Sequence, residues 1–146
     1  MPGGLIMKHH SDKSLTTSSE NYLEAVLMVQ EKKVVARSVD LAQKLGVSKP
    51  SVSVAVHALE EAGYLSIDED KTLHLTEAGM EIAQSVYEKH RFFTKMLTHL
   101  GVDPATAEDD ACRIEHDISE ETFSALKRFS GRCALSVDEA VVMDWE

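Results

Sequence analysis

Apolar residues recur at helical steps through most of this chain, and capping residues and glycines mark the breaks between runs. Thr17-Ser18-Ser19-Glu20 reads as a capping box. It opens a helix carrying Tyr22, Ala25, Val26 and Val29 and ended by Lys32-Lys33. Ser38 caps a short second helix with Val39, Leu41, Ala42 and Leu45, and Gly46 takes the helix-ending position. Ser48 caps a third helix with Pro50 in its first turn; Val52, Val56 and Leu59 form its inner stripe and Gly63 ends it. The period then falls to two. Tyr64-Leu65-Ser66-Ile67 and Thr72-Leu73-His74-Leu75 flank the polar turn Asp68-Glu69-Asp70-Lys71, which predicts a hairpin. Thr76 caps a long helix with Ile82, Val86, His90, Phe93, Leu97 and Leu100, stopped by Gly101. Asp103-Pro104 starts the next helix, Ser119 another with Phe123, Leu126 and Phe129, and Ser136-x-x-Glu139 a last short one.

The fold class this predicts is mainly α: an N-terminal winged helix-turn-helix followed by an all-helical domain. Helix, short helix, glycine turn, helix and hairpin is the winged helix-turn-helix order. The expected division is a disordered tail over 1–14, a winged helix over 15–76 and a helical domain over 77–146. Leu41, Ala42 and Leu45 pack inward, while the outer face of the third helix shows Lys49, Ser51, Ser53 and His57. Small hydroxyl side chains let a helix approach a groove closely, and Lys49 supplies charge for phosphate. Arg37, Ser38, Ser48 and Pro50 flank that face and complete the candidate DNA-contacting set. A helix-turn-helix used only for protein contacts is the competing reading.

The densest chemistry lies further on, in Ala111-Cys112-Arg113-Ile114-Glu115-His116 with Glu108 one turn upstream. Residues three and four apart share a helix face, so Glu108, Cys112, Glu115 and His116 point one way. A thiol, two carboxylates and an imidazole are the donor set of a divalent transition metal. The competing reading is a solvated acidic face with an incidental cysteine. His90 sits in the apolar stripe of the preceding helix, where a lone histidine is most often structural. A short-coupled antiparallel hairpin of the two helices sets it against Cys112, Glu115 and His116. Asn21 and Glu24, at i and i+3 on the first helix, are polar positions in a largely apolar stretch.

Charge sharpens this division. The chain of 146 residues has a formal net charge of −10. Up to Thr76 it carries eight Lys/Arg against ten Asp/Glu; from Glu77 onward, seven against fifteen. The acidity lies in the half with the metal-like cluster, which favours cations and resists polyanions until neutralised. The apolar runs are far shorter than a membrane span. The opening Met1-Pro2-Gly3-Gly4-Leu5-Ile6-Met7-Lys8-His9-His10 does not read as a secretory signal, and His9 and His10 read as an inert pair. Two cysteines, Cys112 and Cys133, are too few for a disulfide scaffold and point to a reduced, cytoplasmic protein.

Ser19-Glu20-Asn21-Tyr22-Leu23-Glu24, the helix-turn-helix through Ser53, Lys89-His90-Arg91 and Ala111-Cys112-Arg113-Ile114-Glu115-His116 together resemble the diphtheria-toxin-repressor family, which includes the manganese-transport regulators. The likeness covers roughly residues 15 to 130, and its most specific element is Cys-Arg-x-Glu-His after a separate Lys-His-Arg. It implies a homodimer whose winged helix binds double-stranded operator DNA when Fe2+ or Mn2+ is bound, with Zn2+ or Co2+ acting in vitro. Carried across, the ligands fall on Asn21, Glu24, His90, Cys112, Glu115 and His116. The iron branch has Cys at the position of Cys112; the manganese branch has Glu there and Asp at the position of Asn21. Thr94 stands where the iron branch has an ancillary Glu ligand, and Glu108 where it has a His. The resemblance also implies the two-domain form, without the SH3-like third domain of longer members.

The leading reading is therefore a metal-activated transcriptional repressor. A winged-helix regulator answering a non-metal ligand, with the cluster structural, is the alternative. An enzyme is disfavoured, because no candidate base stands beyond the ligands themselves. Phe123, Leu126, Phe129 and the Trp145 region are the apolar surface expected at a dimer interface.

Overall fold

The structure is a computed structural model that describes residues 15–137. The expected tail with His9 and His10, the Trp145 region and the Cys133 side chain lie outside the described residues. The order is α1 (Thr17–Lys33), β1 (Ala36–Arg37), α2 (Ser38–Leu45), α3 (Lys49–Glu61), β2 (Leu65–Ile67), β3 (Thr72–Leu75), α4 (Glu77–His99), α5 (Pro104–Asp117) and α6 (Glu120–Val137). The chain divides into two compact units at Gln84/Ser85, inside α4.

In the first unit, α1, α2, α3 and the sheet enclose one apolar core. Leu23, Val26, Leu41, Val52, Val56, Leu65 and Leu73 are its buried centre. The strand order is β1-β3-β2, antiparallel throughout, with Ala36 opposite Leu73 and Leu65 opposite Leu75. Gln30 Nε2 donates to the Leu73 carbonyl at 3.4 Å, tying α1 to the central strand. Gly46, at φ 66°, donates its N–H to the Ala42 carbonyl and lets α2 turn sharply into α3. Gly79 has no side chain because a Cβ there collides with the Tyr64 carbonyl oxygen, so the first turn of α4 lies against the chain leaving α3. Thr76 seals that junction, donating to the Gly63 carbonyl at 2.7 Å and accepting from the Gly79 N–H at 3.2 Å.

The second unit is built on an aromatic cluster. Phe92, Phe93 and Phe123 are buried with Ala111, and Met96, Ile114, Ile118 and Leu126 pack around them. Phe92 meets Phe93 and Phe123 edge to face, with centroids 5.2 and 5.3 Å apart.

Several sequence expectations need correction. The N-cap of α1 is Thr16, whose hydroxyl accepts from the Ser19 N–H, in place of Thr17. Two adjacent threonines offer the same chemistry, so the pattern could not separate them. The N-cap of α2 is Arg37, in place of Ser38, and Asp40 Oδ2 accepts the Arg37 N–H at 2.9 Å. The strand β1 had no alternating pattern to announce it; pairing with β3 creates it. Ser136 lies within α6, and the rest of the short helix expected from Ser136-x-x-Glu139 falls outside the described residues. Leu100, expected on the inner stripe of the long helix, is exposed beyond its end. Phe123, expected at a dimer surface, is 1% exposed within its own unit, leaving Phe129 at 63%.

Candidate metal centre and reading face

Three donors converge in the second unit. His90 comes from α4; Cys112 and Glu115 come from α5. Their ligand atoms all lie within 4.8 Å of one another. His90 Nδ1 stands 2.9 Å from Glu115 Oε2 and 3.6 Å from Cys112 Sγ. The i, i+3 spacing puts Cys112 and Glu115 on one face of α5. The buried Ala111 and Ala107 of that helix carry no bulk to keep α4 away. His116 Nε2 lies 3.3 Å from Glu115 Oε1, so the glutamate is shared between two imidazoles. Glu115, His116 and His90 are all buried, whereas Cys112 faces solvent.

A carboxylate this enclosed is costly without compensating charge. The hydrogen bond with Cys112, then the one with Glu115, pushes His90 up to about 10 against the opposing effect of burial. The His90 ring is thus held between an acid and a thiol. Soft sulfur, imidazole nitrogen and carboxylate oxygen, within one ion's reach of each other, fit a divalent transition metal.

Glu108, expected in the cluster, is exposed on α5 and outside that donor group. Thr94 Oγ1 is buried with no hydrogen-bond partner among the described residues. Asn21 and Glu24 lie on α1 in the first unit; Glu24 is 6% exposed and Asn21 half-buried. A carboxylate in the stripe of Tyr22, Leu23, Ala25 and Val26 is unusual for a helix whose partners are apolar.

On α3 the stripe Val52, Val56 and Leu59 turns inward. Arg37, Ser48, Lys49, Pro50, Ser51, Ser53 and His57 are exposed and Ser38 is half-buried. Ser48 caps α3, accepting from the Ser51 N–H at 3.3 Å and donating to the Ser51 hydroxyl at 2.9 Å. His57 Nδ1 lies 2.7 Å from the Ser53 carbonyl, which holds its ring along the helix. Sequence reasoning missed Val54, 73% exposed on this outer face. Its signal was available: it stands three residues from Ser51 and from His57. An exposed methyl pair on a reading helix suits contact with a thymine methyl.

Among the described residues, no helix is long and apolar enough to cross a membrane. Residues 14–73 match the N-terminal DNA-binding domain of the iron-dependent repressors, and residues 76–138 match their metal-binding and dimerisation domain. The chain is 34% identical over 110 residues to the diphtheria toxin repressor of Corynebacterium glutamicum, covering 75% of this chain and 48% of that protein. It is 34% identical over 111 residues to the transcriptional regulator MntR of Escherichia coli O157:H7, covering 76% of this chain and 72% of that one. The crystal structure of the metal-dependent transcriptional regulator MtsR superposes with a TM-score of 0.71 at 26% identity, over 79% of this chain and 54% of that one. The chain thus spans about half the length of the diphtheria toxin repressors it matches. With both domain types matched in order, and relatives of this identity, the chain belongs to the iron-dependent repressor family of the diphtheria toxin repressor and MntR.

Proposed function

We propose that this protein is a cytoplasmic, homodimeric, metal-activated DNA-binding repressor of metal-homeostasis genes. Fe2+ or Mn2+ serves as co-repressor, and no enzymatic step is involved. The observation that carries the reading is the convergence of His90 Nδ1, Cys112 Sγ and the Glu115 carboxylate within 4.8 Å, inside the segment matched to a metal-binding domain. His90, Cys112 and Glu115 hold the ion; His116 supports Glu115 from its other oxygen or joins the ligand set. Asn21 and Glu24 enter from the resemblance alone, as further donors carried by the first unit. Glu108 enters from its spacing along the helix, one turn before Cys112, as an ancillary donor.

Because imidazole, thiol and carboxylate must all be deprotonated to act as ligands, a cation held among them would compete with protons and bind more tightly as pH rises. Once bound, a divalent ion cancels part of the acidic half's charge and lowers its repulsion from phosphate. The sulfur of Cys112 favours Fe2+, Zn2+ or Co2+ over Mn2+ on softness. On the DNA side, Lys49 and Arg37 contact phosphate, and Ser48, Pro50, Ser51, Ser53 and His57 approach the groove, with Ser38 behind them.

Anaerobic metal titration with operator retardation as readout tests the reading. Retardation should require metal and be reversed by a chelator. Binding that ignores the chelator would favour a regulator that answers a non-metal ligand.

A further inference from the structure

Helix α4, which carries His90, is tied to α6 by a polar contact that no donor takes part in. Lys89 precedes His90 on α4 and is itself buried, its side chain 9% exposed. Its ammonium stands 2.5 Å from Oε1 of Glu120, the first residue of α6. The same oxygen accepts from the Ser85 hydroxyl at 3.3 Å. The Lys89 ammonium lies 5.9 Å from the centroid of the buried Phe123 ring. The hydrogen bond from Lys89 holds the Glu120 carboxyl below the usual carboxylate range.

Chain connectivity turns this pair into part of a closed ring. Only Asp117, Ile118 and Ser119 separate His116 from Glu120. That connector has little slack: Ile118 is extended, at φ −106° and ψ 139°, and Ser119 caps α6 by accepting the Thr122 N–H at 3.1 Å. The end of α5, which carries Glu115 and His116, is therefore fixed to the start of α6. Glu120 fixes the start of α6 to Lys89, and Lys89 is the residue before His90. One side of the ring closes at Glu115 with His90, the other at Glu120 with Lys89.

We propose that the Lys89–Glu120 pair is a positioning element of the metal centre, setting the reach between His90 on α4 and the Cys112/Glu115 face of α5. This rests on the metal reading above. A generic ion pair between helices adds a little stability and nothing else. A positioning pair controls the geometry of an ion site, where groups beyond the ligands typically change affinity by about 10–100-fold.

The neighbouring pair Lys127–Glu88, at 3.2 Å, supplies an internal control. It joins the same two helices, α4 and α6, and Lys127 lies 4.6 Å from the same Phe123 ring. It makes no contact with the residue before a donor, and Lys127 reaches Glu120 only through space, so its loss reports chiefly helix docking.

The test uses the full chain and Co2+, read by the sulfur-to-cobalt charge-transfer band, the d–d envelope and a competing chelator. Glu120→Gln removes the charge at an exposed site and is expected to fold. It should weaken Co2+ binding about tenfold and shift the d–d envelope, while Lys127→Ala leaves both as in wild type. Lys89→Met should match Glu120→Gln, and the double variant should lose no more than either alone. Melting temperatures of the metal-free variants separate docking from positioning. If Glu120→Gln and Lys127→Ala lower the melting temperature but neither changes Co2+ affinity, the pair is structural and the inference is overturned. Equal loss of affinity in both variants overturns it too. Absence of a charge-transfer band in wild type overturns the metal reading instead, and this inference with it.

Discussion

The two units place their polar chemistry in opposite ways. In the first, Lys49, Ser51, Ser53 and His57 stand outside an apolar core that owes them nothing. In the second, His90, Glu115 and His116 are buried, and the aromatic cluster shares its helices with them. On the proposed function, the contrast follows from ligand size. A polymer is read by groups that project, and each can change without disturbing the core beneath. An ion is held by groups withdrawn from water, where charge interacts strongly and each loss leaves another group unmatched. Glu24 breaks the pattern, a buried carboxylate in the exposed-chemistry unit.

The sharpest challenge to this comparison is to damage one core and watch the other. Phe123→Ala empties the centre of the second cluster and should cost about 3–5 kcal/mol there. Thermal unfolding should then separate into two transitions, with the winged-helix transition near its original temperature. A single shifted transition would mean that the units share their stability. Next in size is His116→Ala, which should weaken metal binding tenfold or more. It should also abolish metal-dependent retardation, and, because His116 is buried against Glu115, lower the metal-free melting temperature of the second unit without touching that of the first. Lys49→Ala should do the reverse, weakening DNA binding on every sequence and flattening its salt slope by about one, with the metal isotherm unmoved.

Two smaller effects refine the account of the first unit. Val34 ends α1 at φ 69°, a conformation that a β-branched residue adopts only under strain, and it is 82% exposed. Val34→Gly should raise stability by about 1 kcal/mol in chemical denaturation. The turn between β2 and β3 carries Asp68, Glu69 and Asp70. Asp68 is committed to the turn itself, accepting from the Asp70 and Thr72 N–H groups and pairing with His74 at 2.8 Å. Glu69→Lys and Asp70→Lys should therefore keep the hairpin while strengthening DNA binding a few-fold at low salt, an effect fading as salt rises.

The smallest effect is on pH. Glu120 is held below its ordinary value of 4.5, chiefly by the hydrogen bond from Lys89. A carboxyl lowered on folding stabilises the native state above its unfolded value and loses that contribution as pH falls through the folded one. Wild type should lose a few tenths of a kcal/mol below about pH 4.5 that Glu120→Gln does not lose, since the group is largely exposed and screened. Denaturation midpoints compared at neutral and acid pH measure it.

The sequence by itself determined the helices, the glycine turn between α2 and α3, and the hairpin, because capping and periodicity are local and each residue carries its own preference. It also determined which donors share a face of α5, since that depends only on spacing along one helix. It could not fix which of Thr16 and Thr17 caps α1, where the chemistry is degenerate. Nor could it find β1, whose two residues become a strand only by pairing with β3. Tertiary structure decided between the structural histidine and the donor that the sequence left open at His90, and it alone showed that Glu108 stands apart in solvent and that Phe123 is spent inside its own unit. These are contacts across more than twenty residues for His90 and burial choices for the others. Both depend on how α4, α5 and α6 dock, a sum over many side chains that no single segment encodes.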